Sequence, residues 1–368
     1  MKFSVSREEF LKPLQLVVGV VERRQTLPIL SNVLISLKDG RLSLTGTDLE
    51  VEIIGQLKME SMSDEGEITV PARKLMDICR SLPDGSELSL QEEAAGRLLI
   101  TSGRSRFTLS TLPASEFPSV DGGPGNCEFN IDQGLFKQLL DSTAFAMAQQ
   151  DVRYYLNGML LEVGDGRLRA VATDGHRLAM KDAPLPGVDQ SPLQVIVPRK
   201  AVIELSRLMG GEGGEVRVVL GNNHIRVTTP ECCFTSKLVD GSYPDYERVL
   251  PKGGDKPLTG NREDLRHAFS RTSILSNEKY RGVRLVLDDG VLTMTANNPE
   301  QEEAQEEVVV NYNSGELEVG FNVSYIIDVL NVLKGKDVQF VLSDANSSAL
   351  MQDPEDESAA YVVMPMRL

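Results

Sequence analysis

The sequence predicts an α+β fold in which one unit, two helices against antiparallel sheets, is used three times along 368 residues. The first observation behind this is a repeated run. L-R-A-V-A-T-D-G-H-R-L at Leu168 to Leu178 has partial copies in L-S-L-T-G-T-D at Leu42 to Asp48 and L-T-M-T-A-N-N at Leu292 to Asn298. The second is that Gly40, Gly166 and Gly290 each stand two residues before the leucine, and a polar pair closes each copy. The third is a pair of glycine-rich breaks, at 121–125 and 251–255, which divide the chain into domains at 1–122, 128–250 and 256–368. Self-similarity at a fixed period marks a repeat architecture and outweighs any single motif.

The elements follow in order. Phe3, Phe129 and Leu258 open equivalent strands, and Ser6, Asp132 and Asn261, three residues on, are helix N-cap residues. Ser6 with Glu9 reads as a capping box before an apolar-periodic run through Leu11, Leu14, Val17, Val18 and Val21, with Pro13 expected to kink or delay the helix. Hairpins follow at Val33–Leu37 with Leu42–Thr45, Met159–Val163 with Leu168–Ala172, and Val283–Leu287 with Leu292–Ala296, each turning on Asp-Gly. A second half repeats the strand-then-helix order at Ile68–Met76, Val195–Ile203 and Leu317–Ile327, with Pro71 and Pro198 suited to the first helical turn. Three more strands close each unit, giving about eight strands and two helices per unit.

The formal charge is −16, which argues superficially against a nucleic-acid partner. The six predicted helices, at 6–25, 71–82, 132–150, 198–209, 261–277 and 322–334, nevertheless sum to +5, leaving −21 for strands and loops. Helices facing one way would offer a basic surface to a phosphate backbone; mixed helical charge without that role is the simpler alternative. Cys79, Cys127, Cys232 and Cys233 lack metal-ligand spacing and read as free thiols of a reducing cytoplasm. Neither a secretory segment nor an apolar run long enough to span a membrane is expected, and neither a cofactor nor a metal.

Several long motifs carry a resemblance: T-D-G-H-R-L at Thr173 to Leu178, F-T-S-K-L-V-D-G at Phe234 to Gly241 with Pro244-Asp245-Tyr246, I-L-S-N-E-K at Ile274 to Lys279, A-N-N-P-E-Q-E-E at Ala296 to Glu303, and Y-V-V-M-P-M-R-L at Tyr361 to Leu368. Over the whole chain from Lys2 the sequence resembles the bacterial DNA polymerase III beta subunits, the replicative sliding clamps. That resemblance implies three clamp domains per chain and a head-to-tail homodimer closed into a six-domain ring around duplex DNA, with helices lining the hole. It implies sequence-independent DNA contacts at Arg24, Gln150, Tyr154, Tyr155, Arg199 and Lys200. It implies a dimer interface with Ile274 and Leu275 at its apolar centre, and Lys74, Arg104 and Arg106 facing Glu300, Glu302, Glu303, Glu306 and Glu307. A partner-peptide pocket is implied at Leu156, Thr173, Gly175, His176, Arg177, Leu178, Pro244, Arg248, Val249, Asn322, Tyr325 and Ser348, with the tail Val362, Val363, Met364, Pro365, Met366, Arg367 and Leu368. Asn346 stands at the pocket edge where relatives carry Val. The peptides, typically a Gln followed by apolar residues, come from the replicative polymerase alpha subunit, the clamp loader delta subunit, other polymerases and repair proteins. No membrane partner is implied.

An enzyme is the competing class. His176 and Asp174, two residues apart, have no evident nucleophile and no orienting third group, and P-loop and dinucleotide fingerprints are missing from the sequence. An interaction scaffold without DNA is the third reading; it keeps the pocket and loses the ring.

Overall fold

Asp39-Gly40, Asp165-Gly166 and Asp289-Gly290 all have positive φ (50° and 69°, 52° and 71°, 42° and 78°), the type I′ turn whose twist matches its flanking strands. These turns join Asn32–Lys38 to Arg41–Thr47, Gly158–Gly164 to Arg167–Thr173, and Gly282–Asp288 to Val291–Asn297. The computed structural model describes residues 1–21, 27–59, 64–93, 96–120, 122–188, 192–210 and 213–367. Six α-helices occur among them: α1 (Arg7–Val18), α2 (Ala72–Ser81), α3 (Gln133–Asp141), α4 (Arg199–Leu208), α5 (Arg262–Thr272) and α6 (Val323–Val332). None is long and apolar enough to cross a membrane.

Ser6 caps α1 as predicted, and Glu9 turns back onto its hydroxyl rather than its backbone amide. The Ser6 hydroxyl accepts from the Glu9 amide (3.3 Å) and donates to the Glu9 carboxylate (2.7 Å). Asn261 caps α5 through the Asp264 amide at 3.1 Å. Pro13 does not delay the start of α1, one of the two effects expected of it: the helix begins at Arg7 and Pro13 lies buried inside it. Its ring packs on Gly55 of the strand Val51–Lys58, where a β-carbon would stand 2.7 Å from the Pro13 β-carbon. Burial against a bare backbone offsets the lost helical hydrogen bond. Pro71 and Pro198 end strands directly before α2 and α4, one residue earlier than predicted.

The chain forms two compact units: Met1–Gly134 with Ile203–Leu238, and Leu135–Val202 with Val239–Leu368. Sheet pairing explains why three repeats give two units. In the first, an eight-stranded sheet joins Gly66–Pro71, Asn32–Lys38, Arg41–Thr47 and Val51–Lys58 of repeat one to Cys232–Lys237, His224–Thr228, Glu215–Gly221 and Gly125–Asp132 of repeat two. In the second, the same order runs from Leu193–Pro198 through the hairpin and Arg177–Pro184 to Asp356–Val363, Ala349–Asp353, Asp337–Leu342 and Lys256–Asn261 of repeat three. The joining strands meet antiparallel, Val51 opposite Ser236 and Arg177 opposite Val363.

Each unit adds a four-stranded sheet. The first holds Lys2–Ser6, Glu87–Glu93, Arg97–Ser102 and Ser105–Ser110; the second holds Glu303–Val309, Val291–Asn297, Gly282–Asp288 and Leu317–Asn322. Helices cover the sheets through apolar faces, with Phe10, Leu14, Val17, Leu75 and Cys79 buried in the first unit and Leu265, Phe269, Ile326 and Leu330 in the second. Each such valine, leucine, isoleucine or phenylalanine contributes roughly 1.5–3 kcal/mol by leaving water.

Candidate functional site

The repeated Thr-Asp pair first builds a turn. The Thr173 hydroxyl donates to the Arg177 carbonyl (2.6 Å) and accepts from the Gly175 amide (3.1 Å), while Asp174 Oδ1 accepts from the amides of His176 (2.9 Å) and Arg177 (3.0 Å). Thr47 and Asp48 make the same four bonds to Val51, Leu49 and Glu50. Gly175 sits at φ +88° and Leu49, its equivalent, at φ +78°. The turn is architecture, and Asp174 is committed to it and to the Arg177 guanidinium at 3.1 Å. Its carboxylate is therefore not placed to orient His176 for catalysis.

Chemistry enters through what surrounds the second copy. Leu160, Val171, Leu178, Tyr246 and Val362 form a buried apolar cluster against which Val249 and Leu250 pack. Sheet register pairs Leu178 with Val362 in this seam and Glu52 with Thr235 in the seam between repeats one and two. There the Glu52 carboxylate is buried, accepts the Val120 amide at 3.0 Å, and has its pKa raised by that burial. One seam of the chain therefore has an apolar floor and the other a polar one.

The other predicted pocket residues gather on the second unit. The Met364 amide donates to the His176 carbonyl (2.9 Å) and the Met366 amide to the Gly320 carbonyl (2.8 Å), so the tail lies along the Thr173–Arg177 turn and the strand Leu317–Asn322. Asn322 caps α6 through the Ser324 amide at 2.9 Å. The Tyr325 ring stacks on His176 at 6.4 Å between centroids and 20° between planes. Leu156 is buried beneath, whereas His176, Pro244, Arg248 and Met364 are exposed; Gly175, Arg177, Val249, Ser348, Pro365 and Met366 are half-buried. Arg248 pairs with Asp245 at 2.7 Å. Asn346 is exposed and its amide donates to Asp344. Leu368 lies outside the described residues.

Sequence reasoning missed four contributors. The Tyr243 hydroxyl accepts the Thr173 amide at 3.0 Å, and burial pushes its pKa up. Tyr246 reaches under the wall, its hydroxyl bonded to Arg169 (3.2 Å) and Glu162 (3.3 Å). Arg153 pairs with Asp151 at 2.8 Å and donates to the Asp174 carbonyl at 3.3 Å. Asp328 binds Arg177 from α6. The spacing of Tyr243 and Tyr246 around Pro244 was the available signal for the first two; nothing local marks Asp328.

Of the predicted DNA residues, Arg24 lies outside the described residues. Tyr154 and Tyr155 form a single 3-10 turn, their rings edge-on at 5.8 Å. The Arg199 amide donates to the Asn157 carbonyl (2.9 Å) and its guanidinium to the Met147 carbonyl (3.1 Å), so the start of α4, with Lys200 next, adjoins that turn. Gln150, exposed, holds φ +56° beside it. Of the predicted interface residues, Ile274 is 74% exposed on a 3-10 turn after α5, with Leu275 half-buried. Lys74, Arg104, Arg106, Glu300, Glu302, Glu303 and Glu307 are exposed, and Glu306 half-buried. Within the chain Arg271 holds Glu306 bidentately (2.7 and 2.9 Å) and Arg106 meets Glu93 at 3.3 Å.

Comparison with known proteins places this geometry. Profiles of the DNA polymerase III beta subunit match throughout: the N-terminal domain at residues 1–121, the central domain at 130–245 and the C-terminal domain at 247–367. A beta sliding clamp of Pseudomonas aeruginosa is 63% identical and that of Escherichia coli 54%, each over the full length of both chains. The crystal structure of a Pseudomonas aeruginosa sliding clamp bound to griselimycin is 62% identical over the whole of both chains, with a TM-score of 0.98.

Proposed function

The chain belongs to the DNA polymerase III beta-subunit family and is a DNA sliding clamp rather than an enzyme; from that premise we propose that two copies close head to tail around duplex DNA and tether the replicative polymerase to its template. One observation carries the reading. In repeats one and two the strands Val51–Lys58 and Arg177–Pro184 pair with the last strand of the next repeat. Their third equivalent, Glu303–Val309, is a sheet edge, as is Ser105–Ser110, the last strand of repeat one. Pairing these edges between two copies continues the same architecture, and a heterologous contact that closes after two copies makes a ring.

In that ring the domains are 1–122, 128–250 and 256–368. Ile274 and Leu275 fill the junction, and Lys74, Arg104 and Arg106 face Glu300, Glu302, Glu303 and Glu306. Arg24, Gln150, Tyr154, Tyr155, Arg199 and Lys200 touch phosphates and sugars without reading bases, so contact is uniform along the duplex and sliding is permitted. The pocket around Leu178 and Tyr246 takes extended peptides, a Gln followed by apolar residues, from the polymerase alpha subunit, the loader delta subunit, other polymerases and repair proteins in the cytoplasm. Met364 and Met366 adapt its wall to different partners. Tethering raises the polymerase's local concentration at the template without a tighter grip on DNA. Light scattering of the purified chain tests the ring: a dimer is expected at micromolar concentration, and a monomer there would overturn it.

A further inference from the structure

We propose that Asp328 is a positioning residue of the peptide site, acting through Arg177; this rests on the peptide-site reading above. The Arg177 guanidinium is nearly enclosed. Its Nε donates to Asp174 (3.1 Å), Nη1 to Asp328 (2.5 Å) and Nη2 to the Phe145 carbonyl (2.7 Å). The Tyr325 and Phe145 rings lie 4.5 and 5.2 Å from Cζ. With every nitrogen engaged and two aromatic rings against it, Arg177 is a strut of the site, and a peptide has little of it left to bind.

What the strut holds is the second wall. Asp174 and Arg177 belong to repeat two, Tyr325 and Asp328 to α6 of repeat three, and Tyr325 carries the stack on His176. A planar fork can satisfy both carboxylates and the carbonyl at once, which fixes ring and turn together. Asp328 is the only one of the three acceptors that comes from α6. Removing its charge releases the guanidinium on the side of Tyr325 and frees the ring to leave His176. Asp328 itself lies one helical turn from Tyr325 and is 40% exposed, so its loss touches neither the buried core nor the apolar floor.

Fluorescence anisotropy of a synthetic peptide with a Gln followed by apolar residues, titrated with the full-length dimer, tests this. Asp328→Asn should weaken the peptide roughly threefold to tenfold, a partly exposed pair being weaker than a buried one. Asp328→Glu should recover most of the loss, and dimerisation and the melting temperature should stay as in the unaltered protein. In an Arg177→Lys background, whose ammonium cannot hold three acceptors in one plane, Asp328→Asn should add less than about twofold. Unchanged affinity of Asp328→Asn would overturn the proposal, as would its full loss reappearing in the Arg177→Lys background. Failure of the unaltered chain to bind the peptide would instead sink the peptide-site reading, and the proposal with it.

Discussion

Ile274→Ala is the sharpest test of the junction. The side chain is 74% exposed in the single chain, on a 3-10 turn whose neighbours Ser273 and Ser276 are buried and bonded to each other. Ala removes three carbons, each worth about 0.8 kcal/mol when buried; scaled by the fraction still exposed, that is about 1.8 kcal/mol per junction. A closed ring has two junctions, so the dimer loses about 3.5 kcal/mol, roughly a 400-fold rise in its dissociation constant. Because the side chain contributes little to the isolated fold, the monomer's melting should hardly move. Subunit exchange between two fluorophore-labelled pools, read by energy transfer across a dilution series, measures the constant. A dissociation constant within threefold of the unaltered chain would refute the placement of Ile274 in the junction.

Other predictions concern the fold and the pocket. Gly55→Ala puts a β-carbon 2.7 Å from Pro13 and should cost about 1–3 kcal/mol, seen as a lower urea midpoint; an unchanged midpoint would show that α1 can move aside. The hydrogen bond from Lys181 (2.8 Å), then that from the Ser358 hydroxyl, holds the Asp356 carboxyl down to about 2 from its ordinary 3.8. A depressed carboxylate stabilises the fold above its unfolded pKa, and that stability is lost as pH falls from about 4 towards 2. The unaltered chain should thus lose melting temperature more steeply over that interval than Lys181→Met, and parallel curves would contradict the linkage. Truncation after Val363 removes the tail bonds to His176 and Gly320 and should abolish peptide binding while leaving the dimer intact; undiminished binding would remove the tail from the site.

Local chemistry made much of this legible in the sequence. Asp-Gly dictates its turn because both residues need positive φ, and Ser6 with Glu9 dictates a helix start, so the hairpins and the caps at Ser6 and Asn261 stand where they were expected. The strands that join repeats were the hardest to read. Glu303–Val309, E-A-Q-E-E-V-V, puts Glu306 between Ala304 and Val308 on its half-buried face, and its one strand partner among the described residues is Val291–Asn297. Val51–Lys58 and Arg177–Pro184 stand after a polar turn, outside the Asp-Gly hairpins, yet they decide that three repeats pack as two units. Pro13 misled because its compensation lies in Gly55, 42 residues away. At the site, the motif residues were legible through family likeness, whereas Asp328 was not: it joins Arg177 across 151 positions, and no periodicity links a helix residue of one repeat to a turn of another. The polar pair Thr173-Asp174 is a turn, as its copy at Thr47-Asp48 makes plain.

Encirclement is the central claim, and retention on circular DNA tests it most directly. With the chain loaded on a nicked circle by a clamp loader and freed of unbound protein, cutting the circle with a restriction enzyme should release the clamp, because only topology holds it. Retention on the linear product at the same salt would show a direct grip on the duplex and contradict the ring.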